Sequence, residues 1–152
     1  MGTISKNFSW SEFERTSPEN ARKLERMNVR NSVNTFAKRD AIIALVRSLL
    51  EPLRDAYGKP MTINSGYRCP ELNDLVGGVP TSQHCKGEAA DIATGSQTET
   101  YRLARLAKTT PEIFREVDQM ILYPTFVHFS HKLRGTQRNQ ILYNKSYQGR
   151  KV

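Results

Sequence analysis

The chain has 152 residues, of which 38% are hydrophobic and 25% charged, a balance typical of one soluble globular domain. No stretch approaches the roughly 20 apolar residues of a membrane-spanning helix, which excludes a membrane protein, and we find no apolar run of signal-peptide length at the start. The formal charge of +8 at pH 7 suggests a polyanionic partner, for which nucleic acid, anionic lipid and bacterial cell wall all qualify.

The first third of the chain carries three helix signals. Ser9 has capping-box spacing to a glutamate in front of a short helix over 11–15. Ser17, followed directly by a proline, predicts the start of a second helix. The strongest signal covers 37–57, where apolar residues recur at three- and four-residue spacing. We expect Pro52 to kink this helix or to end it one turn early.

The middle of the chain alternates between short regular elements and loops. Residues 61–64 and 88–93 are candidate strands. Between them, the stretch 66–80 contains several glycines and prolines, so we predict a loop-rich segment where chemistry would be located. A serine with a second capping-box pattern opens a helix through 97–107, and the Thr-Pro pair at 110–111 begins a short one.

Two strands over 117–122 and 126–130 are predicted to form a hairpin around the turn at 123–125. Strands and helices do not alternate regularly. We therefore predict an α+β fold with a small, largely antiparallel sheet and helices packed around it. The chain is interpreted as a single domain over 1–152, with a core over about 5–145 and a basic C-terminal tail.

The histidines are the first candidates for metal chemistry. A catalytic zinc site needs three protein ligands and one open position. His84 and Asp91 are too far apart on one helix and would point to opposite faces of one strand. They can meet at one ion only if the chain turns between them, and Gly87 permits that turn. His128 lies within a predicted strand, whereas His131, three residues later, points to the other face and is the poorer ligand.

The segment 82–91, Ser-Gln-His-Cys-Lys-Gly-Glu-Ala-Ala-Asp, resembles the SxHxxGxAxD signature of the zinc D-alanyl-D-alanine carboxypeptidase family. That family includes phage L-alanyl-D-glutamate endolysins, D,D-dipeptidases and the hedgehog signalling domain. All five defining positions match: Ser82, His84, Gly87, Ala89 and Asp91. Further segments resemble the family in the same order along the chain, namely 5–13, 50–58, 63–68, 73–78 and 126–130. The resemblance implies the hedgehog/D,D-peptidase fold.

The resemblance also implies roles for individual residues. His84, Asp91 and His128 would bind Zn²⁺, and a water on the metal would attack a polarised carbonyl. Arg68 would clamp the carboxylate or the scissile carbonyl of the substrate, for which its planar fork of donors is suited. Ser82 is a candidate hydrogen-bond donor to substrate and equally a candidate turn residue.

One feature departs from the family pattern. The family places an acid a few residues before the second histidine as the general base, but this chain has Thr125 in that slot. With one hairpin register, Gln119, Ile121 and Tyr123 share the face of His128. With the turn shifted by one residue, Asp118, Met120 and Leu122 do so instead. Asp118 is therefore a conditional base and Tyr123 a candidate proton donor or oxyanion partner.

Two functions follow from the resemblance. The first is a zinc peptidase that hydrolyses peptidoglycan stem peptides, as an endolysin-like enzyme of a phage or prophage. The second is a zinc-containing cell-wall or peptide binding module that lacks a competent base. The features expected to bind substrate, Arg68 and Ser82, favour the enzyme.

The charge distribution suggests how such a protein would reach its substrate. After Asp118 the chain contains no acidic residue, and its basic residues are Lys132, Arg134, Arg138, Lys145, Arg150 and Lys151. We expect this segment to attract anionic wall polymers, and the alternative is a set of solvated charges without a partner. The protein is expected to be a monomer. Nucleic acid is not an expected partner, because neither a C-x-x-C pair nor an RNP-like motif is present. Synthesis in the cytoplasm and action on the cell wall after release or delivery are the expected localisation.

Overall fold

A computed structural model describes residues 2–152, which form seven α-helices and five strands. The helices are α1 (Trp10–Glu14), α2 (Pro18–Arg26), α3 (Phe36–Leu45), α4 (Glu51–Tyr57), α5 (Pro70–Leu75), α6 (Gln97–Thr109) and α7 (Pro111–Phe114). A π-helical turn (Val46–Leu50) joins α3 to α4, and a 3₁₀ turn (Gln83–Lys86) follows α5. The strands are β1 (Ile63–Ser65), β2 (Ala89–Ala93), β3 (Gln119–Leu122), β4 (Phe126–Ser130) and β5 (Gln140–Tyr143). Among these residues, no helix combines the length and apolar character needed to cross a membrane.

The five strands form one sheet in the order β1, β2, β4, β3, β5. All neighbouring pairs are antiparallel except β3 and β5, which run parallel. The predicted α+β class and the largely antiparallel sheet are thus confirmed. The hairpin between β3 and β4 is also confirmed, and its register places Ile121 opposite His128. On the other side of β4, Asp91 of β2 lies opposite His128.

Of the two expectations for Pro52, an end of the long helix one turn early is wrong, and a kink stays a prediction. The chain stays helical through Tyr57 and ends at Gly58, whose φ of 75° gives the left-handed C-cap. In a continuous α-helix, a proline lacks one hydrogen-bond donor and its ring collides with the carbonyl four residues earlier. Here the wider π-helical turn directly precedes α4, so Pro52 lies in the first turn of a new α-helical segment, where no donor is needed.

The N-terminal caps follow the sequence patterns closely. The Glu12 carboxylate accepts a hydrogen bond from the Ser9 N–H at 2.8 Å, and the Ser17 hydroxyl accepts one from Asn20. The second predicted capping box is only half formed. Ser96 caps α6 by accepting from the Glu99 N–H, but the Glu99 carboxylate turns away to Tyr57 and Lys59. A tertiary contact with α4 and the following turn has replaced the local one.

The hydrophobic core lies between the sheet and the helices. One contiguous cluster of buried side chains runs from Ile4 to Tyr147 and includes Val46, Leu49 and Leu50 of the π-helical turn. Tyr147 lies beyond the predicted limit of the core at about 145, since the C-terminal segment folds back after β5. One face of β2 and β4 packs into this cluster, because Ile92, Val127 and Phe129 are completely buried. The polar residues on the other face of these strands are therefore held in a fixed register.

Candidate metal centre

His84, Asp91 and His128 come together at the middle of the sheet. The His84 Nε2 lies 3.3 Å from the Asp91 Oδ1, and the His128 Nδ1 lies 2.9 Å from the same oxygen. All three donor atoms are within 4.8 Å of one another. The structure thus brings together the three residues that the sequence proposed as ligands. His131 is not part of the group. Its Nδ1–H donates to the Glu116 carbonyl oxygen at 2.7 Å.

Each member of the cluster is positioned by a different element. Asp91 and His128 are cross-strand neighbours in β2 and β4, so the sheet itself sets their separation. His84 arrives from the 3₁₀ turn, which ends at Gly87 with a φ of 76°. The turn brings the chain back before β2 begins, which confirms the predicted turn between His84 and Asp91.

Gly87 is also a point of close packing against α3. A Cβ atom at this position would lie 2.7 Å from the Lys38 carbonyl oxygen, and the left-handed φ would strain any other L-residue. We expect Gly87→Ala to lower the free energy of unfolding by about 2 to 4 kcal/mol, measured by urea denaturation. Gly95→Ala is the matched control, because Gly95 has a φ of 83° but open space around it. An equal loss in both variants would show that packing against α3 adds nothing.

Hydrogen bonds fix the chemical state of the cluster. The Gly66 carbonyl oxygen can only accept, so the His84 Nδ1 at 2.7 Å carries a hydrogen, and the Nε2 is the ring atom that faces Asp91. Burial alone would raise the pKa of Asp91, but hydrogen bonds and charge from His128 and His84 outweigh it and hold that pKa well below its ordinary value. Asp91 is therefore an anionic acceptor at neutral pH.

The donor set fits a zinc ion. Tetrahedral ligands at zinc bond lengths of roughly 2.0 Å are about 3.3 Å apart. The separations of 3.3 and 2.9 Å from the Asp91 oxygen to the two imidazole nitrogens are close to that spacing. Two imidazoles and a carboxylate are also the ligand types that catalytic zinc sites use. With three protein donors, a tetrahedral ion would keep a fourth position for substrate or solvent.

The cluster opens into a cavity of about 530 Å³. Besides the three clustered residues, the cavity is lined by Arg68, Gly78, Val79, Thr81, Ser82, Gln83, Gln119, Ile121, Tyr123 and Arg138. Of the two hairpin registers considered, the structure has the one that turns Gln119, Ile121 and Tyr123 toward His128. Arg68, Ser82 and Tyr123, all singled out from the sequence, are therefore at one site.

Arg68 is held in place by its neighbours. Its Nε donates to the Ser65 hydroxyl at 3.1 Å and its Nη1 to the Asn73 Oδ1 at 3.2 Å. Its Nη2 lies 3.7 Å from the Asp91 Oδ2. A side chain at Gly78 would overlap the Asn73 amide and lie 3.1 Å from the Arg68 Nη1, so this glycine leaves room for the arginine. Sequence reasoning did not identify Asn73 as a support, since its role depends on a contact between α5 and the loop that precedes it.

Ser82 and Tyr123 differ in how they are engaged. The Ser82 hydroxyl accepts a hydrogen bond from the His84 N–H at 3.2 Å, so the residue caps the 3₁₀ turn while it lines the cavity. Tyr123 stacks on Phe126 with ring centroids 4.1 Å apart. Burial and the nearby Asp91 charge raise the pKa of the Tyr123 phenol, which keeps its proton at neutral pH.

Asp118 is not among the residues that line the cavity. Its completely buried carboxylate accepts hydrogen bonds from the Arg138 guanidinium, the shortest at 2.8 Å, and from the Arg138 N–H at 2.9 Å. Gln83, which does line the cavity, donates to the Asp118 Oδ2 at 3.2 Å. Burial would raise the pKa of Asp118, but the hydrogen bonds and charge of Arg138 outweigh it and lower that pKa.

This pairing predicts a pH-dependent loss of stability in Asp118→Asn. Because the pKa of Asp118 is lower in the folded chain, its contribution is present above its unfolded pKa of about 3.9 and is lost as the pH falls through the folded value. At pH 7 we expect a loss of about 2 kcal/mol, since Arg138 is half-exposed and solvent weakens the pair. Urea denaturation at neutral and strongly acidic pH measures this. A loss unchanged in acid, or equal to that of the exposed control Asp55→Asn, would contradict it.

The fold and the site together define a class of protein: a small α+β domain with two histidines and a carboxylate open to a cavity, the donor set of mononuclear metal-dependent hydrolases. The chain belongs to the Peptidase M15 family, whose family model matches residues 8–130. It is also similar to the "Zinc D-Ala-D-Ala carboxypeptidase" of Streptomyces albus G, with 40% identity over 62 residues. That match covers 40% of this chain and 24% of the relative's length.

Proposed function

We propose that this member of the Peptidase M15 family is a zinc-dependent peptidase that hydrolyses peptide bonds in peptidoglycan stem peptides. The observation that carries the proposal is the convergence of His84, Asp91 and His128 in one cavity with Arg68. The name of the Streptomyces albus G relative supports both the metal and a D-alanyl substrate. The bond that is cleaved in purified peptidoglycan distinguishes a D,D-carboxypeptidase from an endopeptidase of the endolysin type.

In the proposed reaction His84, Asp91 and His128 hold the zinc ion. When bound, the ion supplies Lewis-acid polarisation of a carbonyl and lowers the pKa of water to about 7. The Gly66 carbonyl orients His84 for that task. Arg68 binds a carboxylate or the scissile carbonyl oxygen of the substrate, because the supports from Ser65 and Asn73 aim its fork into the cavity.

Two further residues complete the proposed site. Tyr123 keeps its phenolic proton and can donate it in a hydrogen bond to the oxygen of the scissile carbonyl. Ser82, which already accepts from the His84 N–H, still has its own hydroxyl proton to offer to the substrate. Both residues line the cavity that contains the cluster, so the role that the family resemblance implies for Ser82 and the role that the hairpin register suggests for Tyr123 are sterically compatible.

The proton acceptor for this reaction stays a prediction. Gln83, which lines the cavity, donates a hydrogen bond to the Asp118 carboxylate, but the same carboxylate is ion-paired with the Arg138 guanidinium. If Asp118 is the base, Asp118→Asn binds zinc and loses peptidase activity, whereas full activity in this variant would exclude it. Among residues 2–152, Asp91 is the only carboxylate that lines the cavity. This observation favours the second candidate function, a zinc-containing binding module for wall peptides without hydrolysis.

Digestion of purified peptidoglycan separates the two functions. The zinc-loaded protein is incubated with peptidoglycan between about pH 6 and 9, and new amino and carboxyl termini are identified by mass spectrometry. We expect new termini at one type of stem-peptide bond, and the identity of that bond distinguishes carboxypeptidase from endopeptidase action. No release from protein that carries one equivalent of zinc would support the binding module instead.

We further propose that the cell wall is the site of action and that the basic C-terminal segment assists there. The segment is folded onto the domain, with Arg150 over the Tyr101 ring at 4.8 Å and Lys151 over the Tyr143 ring at 5.3 Å. Its charges are thus presented on a fixed surface near β5, which can attract anionic wall polymers. Raised salt should weaken that attraction.

A further inference from the structure

A second cavity with a strong positive charge adjoins the candidate metal centre. This basic cleft has a volume of about 540 Å³ and is lined by Thr81, Gln83, Lys86, Glu88, Lys132, Leu133, Arg134 and Arg138. Three of these residues, Thr81, Gln83 and Arg138, also line the cavity of the metal centre. The two cavities therefore adjoin each other at these three residues.

The charges in the basic cleft are only partly neutralised by the protein. Glu88 is its single carboxylate, and both of its oxygens are engaged, with Gln83 at 3.3 Å and with the Leu133 N–H at 3.1 Å. Arg138 is paired with the buried Asp118, and the Lys132 Nζ lies 3.9 Å from the same carboxylate. Within the part of the chain that the structure describes, Lys86 and Arg134 form no ion pair. Two exposed cations thus face the cleft, and neither is paired with Glu88, its single carboxylate.

We propose that the basic cleft is a substrate subsite that binds a free carboxylate of the peptide being cleaved, a group distinct from the scissile carbonyl. The inference rests on the proposed peptidase function, because it takes the peptide to lie in the adjoining cavity. A carboxylate on the same peptide reaches the cleft without a second binding event. Arg134 and Lys86 supply charge-assisted hydrogen bonds to it.

This subsite would determine which stem peptides the protein selects. A peptide whose second residue carries a free carboxyl group is favoured, and the same peptide with a carboxamide there loses the charge-assisted contacts. Two synthetic stem pentapeptides, with D-glutamate at the second position bearing a free α-carboxyl group or its carboxamide, are the probes. Binding is measured by calorimetry with a chelator present, so that affinity is read without turnover, and kcat/KM is measured separately with zinc.

We expect the acidic peptide to bind about tenfold more tightly than the carboxamide. In Lys86→Ala/Arg134→Ala that preference should fall to less than about twofold. The matched control is Arg105→Ala/Lys108→Ala, which removes the same charge from exposed positions on α6 and should keep the preference.

Three outcomes would overturn the subsite. They are equal affinities for the two peptides, a preference that survives in Lys86→Ala/Arg134→Ala, and binding of a polyphosphate chain that this variant loses while the acidic peptide is unaffected. The last result would assign the basic cleft to wall polymers. Absence of cleavage with zinc would contradict the proposed peptidase, but it leaves the affinity comparison in chelator intact, so the two failures are distinguishable.

Discussion

Replacing His84 by alanine should abolish zinc binding and peptidase activity together. The variant retains only Asp91 and His128 as donors, and two protein ligands do not hold a catalytic zinc ion. We expect zinc content to fall from one equivalent to under about a tenth, and the rate of peptide release to fall at least about 10³-fold. Metal analysis of the dialysed protein and the peptidoglycan assay measure the two effects.

His131→Asn is the control for this experiment. His131 is buried near the same strand, but its Nδ1–H donates to the Glu116 carbonyl oxygen, and an asparagine amide can take over that bond. The control should bind one equivalent of zinc and release peptide at an undiminished rate. Loss of zinc in both variants would indicate a general failure to fold. Zinc retained by His84→Ala would contradict the assignment of this histidine as a ligand.

Arg68→Lys should lower kcat/KM by about 10²-fold without removing zinc. A lysine keeps the positive charge but lacks the fork, so it cannot bind Ser65 and Asn73 and present a donor to substrate at the same time. A cation does not ligate zinc, and the metal content of the variant should therefore be unchanged. Steady-state kinetics on a synthetic stem peptide, paired with metal analysis, tests both statements.

Arg105→Lys on the exposed face of α6 is the matched control and should leave the kinetics unchanged. Activity of Arg68→Lys within about twofold of the unaltered protein would remove Arg68 from the substrate-binding role. Loss of zinc in Arg68→Lys would instead show that its 3.7 Å contact with Asp91 is needed to organise the cluster.

The candidate site could be predicted from the sequence because its residues lie within short motifs. Gly87 had to provide a turn if His84 and Asp91 were to meet, and its φ of 76° provides it. The hairpin register was the point that sequence could not decide, since a shift of one residue exchanges the two faces of β3. The pairing of Ile121 with His128 turned Tyr123 into the cavity and left Asp118 outside its lining.

The parts of the fold that sequence did not predict depend on contacts between distant segments. The prediction placed no strand after residue 130, yet β5 adds a parallel strand over Gln140–Tyr143 by pairing with β3, a contact that no local pattern reveals. Helix α5 lies in the stretch predicted to be loop-rich, where its six residues begin at Pro70. The prediction for Pro52 used only the local effect of proline on an α-helix. In the structure a buried π-helical turn precedes Pro52, and the chain stays helical through the whole region.

The central claim is that His84, Asp91 and His128 hold one zinc ion, and anomalous diffraction at the zinc absorption edge tests it most directly. Crystals of the protein with one equivalent of zinc should give a single strong peak bounded by the His84 Nε2, the Asp91 Oδ1 and the His128 Nδ1, at roughly 2.0 Å from each. A peak at other residues, or no peak in protein shown to contain zinc in solution, would contradict the account.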